Sequence, residues 1–162
     1  MEILHVETGD RVEATIEPVS DEDLKLLTVK RYFFKWKLLR DQAQLFKLRL
    51  AGDKDIKGVM ALVDHPHESR IEIKLLACAR ENVVLKKEKG KKKKEYDHIA
   101  GNLIAHAGRI AVTKYGANAC VSLLPKTELK RSYIDRYGML DGGAQVFLEL
   151  ASLHNILNRY IL

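Results

Sequence analysis

The chain has 162 residues, 46% hydrophobic and 31% charged, with a formal net charge of +6. That balance describes a folded domain with a sizeable core and excludes an intrinsically disordered chain. No apolar run nears the roughly 20 residues that cross a bilayer, MEILHVETGD is not a signal peptide, and Cys78 and Cys120 lack CxxC spacing, so one domain over 1–162 in the reducing cytoplasm is expected.

In chain order, Ser20 followed by three acids and then Leu24, Leu26 and Leu27 reads as a capped helix start. RYFFKWKLL (31–39) and LFKLRL (45–50) read as strands, the second by strict alternation. IKGVMALV (56–63) is an apolar run of strand length. DHPHES is a polar turn; a metal site there is the weaker reading because Pro66 and the hairpin position favour a turn. RIEIKLLACA (70–79) alternates again, which puts Ile71, Ile73 and Leu75 on one face and Glu72, Lys74, Leu76 and Cys78 on the other.

The period then changes. Leu103, Ala107, Ile110 and Ala111 form a helical stripe that Gly116 ends. NACVSLL (118–124) is a buried-type strand, Thr127 caps a helix ELKRSYIDRY that stops at Gly138, and DGG turns into the strand QVFLEL. SLHNILNRYIL closes as an amphipathic helix. A crossover helix makes the strand after it parallel to the strand before it. The expected fold is therefore a mixed α/β sheet, mostly antiparallel with one parallel pair, flanked by helices. His106 reads as a packed or surface histidine, and Phe33 and Trp36 as strand core or an acceptor wall.

Between the fourth expected strand and the crossover helix lies a basic run. Lys86 to Glu95 holds seven lysines against two glutamates, so the rest of the chain is close to neutral. It has no arginine and no aromatic before Tyr96, unlike the interleaved surface of a dedicated nucleic-acid binder. Its readings are a solvated loop, an RNA grip, or a phosphate contact. The last is favoured by position, because a helix start at Ala100-Gly101 offers free N–H groups to phosphate.

The stretches RIEIKLLACARENV, YDHIAGNLIAHAGRIAV, GANACVSLLPKTELKRSYIDRYGM and GGAQVFLE, in this layout, resemble GNAT-type N-acetyltransferases, particularly small bacterial members, over about residues 30–162. The resemblance implies acetyl-CoA in a V where two parallel strands splay, its pyrophosphate on the loop and first turn of the crossover helix. The family's signature there is Arg or Gln, two residues, Gly, one residue, then Gly or Ala. Ala100 matches its last position, His98 stands for the first Gly, and Glu95 stands for Arg or Gln. Lys93 or Lys94 would supply the missing cation, and Ile99, Ala100, Gly101 and Asn102 the amide contacts.

By the same resemblance, backbone groups of Leu76, Ala77 and Cys78 would hold pantetheine, with Lys126 and Thr127 beside it. Glu72 would be the base for the attacking amine, with an ion pair to Lys74 as its competing role. Tyr133 would protonate the thiolate. The family's tyrosine usually precedes the terminal Gly by four residues and Tyr133 precedes Gly138 by five, so Tyr137 is the alternative. The activity implied is acetyl transfer from acetyl-CoA to a primary amine in a ternary complex, without a metal and with a homodimer possible. The rivals are an RNA-binding module and a CoA-binding fold without activity.

Overall fold

The computed structural model describes residues 1–84, 90 and 92–161. Leu85 to Lys89 and Lys91 fall outside them, and with them the solvated reading of Lys86 to Lys89. Among the described residues nine strands form one curled sheet, in the order β6-β1-β2-β3-β4-β5-β7-β9-β8. They are β1 (Glu2–His5), β2 (Arg11–Pro18), β3 (Gln44–Leu50), β4 (Ile56–His65), β5 (Arg70–Cys78), β6 (Tyr96–Asp97), β7 (Cys120–Leu123), β8 (Leu140–Gly142) and β9 (Gln145–Glu149). All neighbours are antiparallel except β5 and β7. The crossover between that pair is α3 (Ile99–Tyr115).

The mixed sheet with one parallel pair agrees with the sequence. β1 and β2 went unread because charged residues break their apolar pattern.

Two helical layers cover the sheet. On one face α3 buries Leu103, Ile104, Ala107 and Ala111 against Met60, Leu62, Ile71, Ile73, Val121 and Leu123. On the other, α1 (Asp21–Leu26), α2 (Val29–Tyr32) and a 3-10 turn at Trp36–Leu39 bring Tyr32, Trp36 and Leu39 onto Leu45, Val59 and Ala61. Each fully buried large side chain here contributes about 1.5–3 kcal/mol.

Ser20 does cap α1: its Oγ accepts the Asp23 N–H at 3.1 Å while Asp23 Oδ2 accepts the Ser20 N–H at 2.8 Å. Asp23 also takes Lys47 Nζ at 2.5 Å, which ties the helix to β3.

The strand expected over 31–39 is not one. Tyr32, Trp36 and Leu39 are buried at helical spacing, and Trp36 Nε1 donates to the Tyr32 carbonyl at 3.0 Å. The aromatic residues that suggested a strand serve a helical face instead.

The single alternation expected along β5 is also corrected. Ala61 pairs with Leu75 and Leu62 with Ile73, so Lys74 is an extra, bulged residue. The bulge reverses the faces downstream: Leu76 and Cys78 join Ile71 and Ile73 toward α3, while Leu75 and Ala77 pack with Trp36.

After β7, Thr127 does not cap a helix by its side chain. It opens a 3-10 turn to Leu129, and α4 spans Lys130–Tyr137, ending at Gly138 with φ 68° as expected. α5 (Leu150–Arg159) runs along α3, with Leu153 and Leu157 against Gly108. Among the described residues no helix is long and apolar enough to cross a membrane.

Candidate active site

The parallel pairing of β5 with β7 covers Arg70/Cys120, Ile71/Val121, Glu72/Ser122 and Ile73/Leu123, and stops there. β5 runs on to Cys78, paired there among the described residues with β4 alone. From the bulge at Lys74 onward its other side is an open edge. The Ala79 N–H donates to the Lys57 carbonyl on β4 at 2.8 Å. Because main-chain groups alternate along a strand, Leu76 and Cys78 turn their N–H and C=O into the opening. The Ala77 main chain turns to β4.

Behind this edge, on the α3 side, sit Cys78, Tyr133 and Tyr137. Burial pushes the Cys78 thiol up to about 11, against the pull of Lys94 and of the Ala100 N–H that faces its sulfur. Burial likewise pushes Tyr133 up to about 12, with Cys78 adding to the rise, and raises Tyr137 as well. The two rings are 6.0 Å apart, so both reach the same end of the opening. Lys126 and Thr127 are exposed just past the end of β7.

The first turn of α3 is more crowded than its sequence implied. Ile99 is core and Asn102 is buried, its Nδ2 donating to the carbonyls of His98 at 2.7 Å and Glu2 at 3.2 Å. A Cβ on Gly101 would fall inside the ring of Tyr160, so its close approach serves a side chain of this chain. Asp97 Oδ1 accepts the His98 N–H at 2.8 Å and lies 3.5 Å from Lys94 Nζ. Burial works against its charge, but the His98 N–H, Lys94, His98 and Arg136 together hold the carboxyl below its usual range. Lys93 is exposed.

The end of α5 closes the gap between the two helices at this mouth. Arg109 Nη1 on α3 donates to the Tyr160 carbonyl at 2.9 Å, and Arg159 donates to the Arg136 carbonyl on α4.

On the opposite face, Glu72 does not pair with Lys74. Its Oε1 lies 2.9 Å from His65 Nε2, both side chains partly exposed. Arg70 Nη1 donates to Ser122 Oγ at 2.7 Å beside them. His65 belongs to DHPHES, which forms a 3-10 turn at Pro66–Glu68. Among the described residues no group of three or more His, Cys, Asp or Glu is placed to hold a metal ion.

Sequence reasoning missed His65, Asp97 and Tyr160. The first was findable: a hairpin that pairs Val63 with Glu72 sets His65 beside that carboxylate. Trp36 is fully buried, and His106 packs edge-on against Phe46 at 5.0 Å.

Comparison with solved structures places this architecture. A Desulfovibrio desulfuricans protein assigned to the GNAT family superposes with a TM-score of 0.61 at 13% identity, covering 85% of this chain and 99% of that one. A GNAT family acetyltransferase from Elizabethkingia anophelis with acetyl-CoA bound gives 0.52 at 15% identity, covering 85% and 99%. A Bacillus subtilis acetyltransferase in complex with CoA gives 0.52 at 11% identity, covering 86% and 99%. No family model and no curated protein matches the sequence. The chain has the fold of the GNAT-type N-acetyltransferases.

Proposed function

We propose that this protein transfers an acetyl group from acetyl-CoA to a primary amine by direct attack in a ternary complex. The observation that carries the reading is the open edge of β5 beyond Ile73, where Leu76 and Cys78 offer main-chain groups with no strand among the described residues to pair them. A pantetheine arm, with its own amides, fits such an edge as a strand does. Neighbours of the same fold hold CoA and acetyl-CoA, which supports this choice of donor.

In this reading the amine approaches from the Glu72 face. Glu72, polarised by His65, takes the ammonium proton. A main-chain N–H at Leu76 or Cys78 meets the thioester oxygen as charge develops there. As nitrogen bonds to the carbonyl carbon and the C–S bond breaks, Tyr133 gives its proton to sulfur, and the surplus proton on nitrogen returns to the phenolate. Tyr137 is the other candidate for that step. Ala100, with the main chain of Ile99, Gly101 and Asn102, receives the phosphates, and Lys93 and Lys94 balance Asp97 and Glu95. Lys126 and Thr127 flank the pantetheine.

Calorimetric titration with CoA and acetyl-CoA, followed by thiol release with a panel of amines, tests the reading. Micromolar CoA binding and amine-dependent thiol release are expected. CoA binding without release by any amine leaves a CoA-binding fold without activity. No binding of either nucleotide overturns the proposal.

A further inference from the structure

Phe33 ends α2 at φ 69°, in the left-handed region where glycine is the usual residue and a bulky side chain is strained. Such strain persists where the surroundings require it, and packing does not account for it, since the ring is 37% exposed. Instead the ring lies under Arg80, whose guanidinium carbon is 4.7 Å from its centroid. Arg80 Nε donates to the Lys30 carbonyl at 2.7 Å. The stack and the hydrogen bond fix the guanidinium plane and use one of its five donors.

No carboxylate among the described residues pairs with Arg80. Asp55 and Glu81 are both taken by Arg31, on the same short helix as Lys30, and Lys57 Nζ holds Asp55 as well at 2.9 Å. The Arg80 and Lys30 side chains are exposed, and Lys92 Nζ donates to the Arg80 carbonyl at 3.1 Å. Arg80 stands two residues beyond the end of β5, on the face of the sheet that carries α2 and Glu72.

We infer that Arg80, held by Phe33 and the Lys30 carbonyl, anchors an anion site for a phosphate group. Its ligand is an amine acceptor that carries a phosphomonoester or phosphodiester. The site stands on its own geometry; that its ligand is the acceptor rests on the acyl-transfer reading. A planar fork with two outward donor edges matches phosphate oxygens in a way that a lone ammonium does not.

The probes are inorganic phosphate, followed by NMR of the Arg80 Nε–H, and a fluorescent single-stranded oligonucleotide of about ten nucleotides, a length suited to one such surface. Calorimetry with CoA is the reference. Arg80→Ala should weaken the bound probe by roughly tenfold or more, the scale of a charge-assisted hydrogen bond, and leave CoA affinity unchanged. Arg80→Lys should not restore it. Phe33→Gly, which relieves the left-handed strain and so folds, should also weaken the probe because the guanidinium loses its platform.

Phosphate binding supports a phosphomonoester ligand; binding of the oligonucleotide alone supports a phosphodiester. Failure of both probes to bind overturns the site, as does an Arg80→Ala protein that binds them like wild type. Equal loss of CoA affinity assigns Arg80 to the nucleotide instead and overturns it too. If both probes bind but CoA does not, the anion site survives and the acyl-transfer reading falls.

Discussion

Glu72 and His65 share a 2.9 Å hydrogen bond between carboxylate and imidazole, across the β4–β5 hairpin on the face away from α3. If Glu72 is the proton acceptor, Glu72→Gln lowers kcat by about 100-fold or more, the usual share of a general base, with CoA affinity unchanged. His65→Ala lowers kcat less, and His65→Gln, which keeps a hydrogen-bonding group, recovers part of the loss. Steady-state kinetics beside CoA calorimetry separates these effects. An undiminished rate for Glu72→Gln removes it from the mechanism.

Tyr133 and Tyr137 offer one proton donor between them. Burial keeps both phenols protonated at neutral pH, Tyr133 up to about 12. Tyr133→Phe should reduce kcat by about tenfold or more, less than a full general-acid contribution if water substitutes, while Tyr137→Phe leaves it nearly intact. The reverse pattern in paired single-turnover measurements moves the role to Tyr137.

Gly101→Ala forces a methyl group into the ring of Tyr160. Overpacking of this kind costs about 1–3 kcal/mol, read as a lower denaturant midpoint. Tyr160→Ala in the same chain should recover much of that loss. Additive destabilisation in the double variant would mean that the two residues do not share the space.

Asp97 places a carboxylate where the N-terminus of α3 would meet a phosphate. Asp97→Asn keeps an acceptor for the His98 N–H and removes the charge, so CoA affinity should rise roughly two- to fivefold, the scale of one charge at a helix end. The gain should shrink in high salt. Weaker binding would show that Asp97 orders the turn more than it repels the ligand.

Buried phenols also set an upper pH limit. Burial raises Tyr32 to about 12 and Tyr133 to about 12, so the folded state favours their protonated forms. Their contribution is complete below the unfolded value of about 10 and is lost as pH climbs through about 12. Melting temperature should fall over that interval, and Tyr133→Phe should flatten the decline. Lysines titrate in both proteins, so the difference isolates the phenol. Parallel curves would contradict the burial of its hydroxyl.

Much of the framework was legible because periodicity reports burial. Leu103, Ala107 and Ala111 announced α3, and Gly138 announced the end of α4. What escaped was carried by relationships that no local pattern encodes. Lys74 looks like any alternating strand residue, yet as a bulge it shifts the phase of everything after it. Phe33, Phe34 and Trp36 carry strand propensity, but burial at Tyr32, Trp36 and Leu39 follows a helical repeat. Gly101 read as room for a ligand because Tyr160, 59 positions away, gave no sign of folding back onto it. Glu72 was visible as an acid on a strand; its partner depended on the register of a hairpin.

Glu72 and Cys78 are an even number of residues apart, so an unbroken strand would present both to the same side. The one-residue slip at Lys74 sends them to opposite sides. A single strand thereby gains two addresses: an acid with one half-space and a thiol-lined edge with the other. On the acyl-transfer reading, the nucleophile and the donor then never compete for one entrance. They enter from opposite sides and meet only in the gap between β5 and β7. Were Lys74 paired in the ladder instead of bulged, the alternation would run unbroken and the two entrances would open on one side.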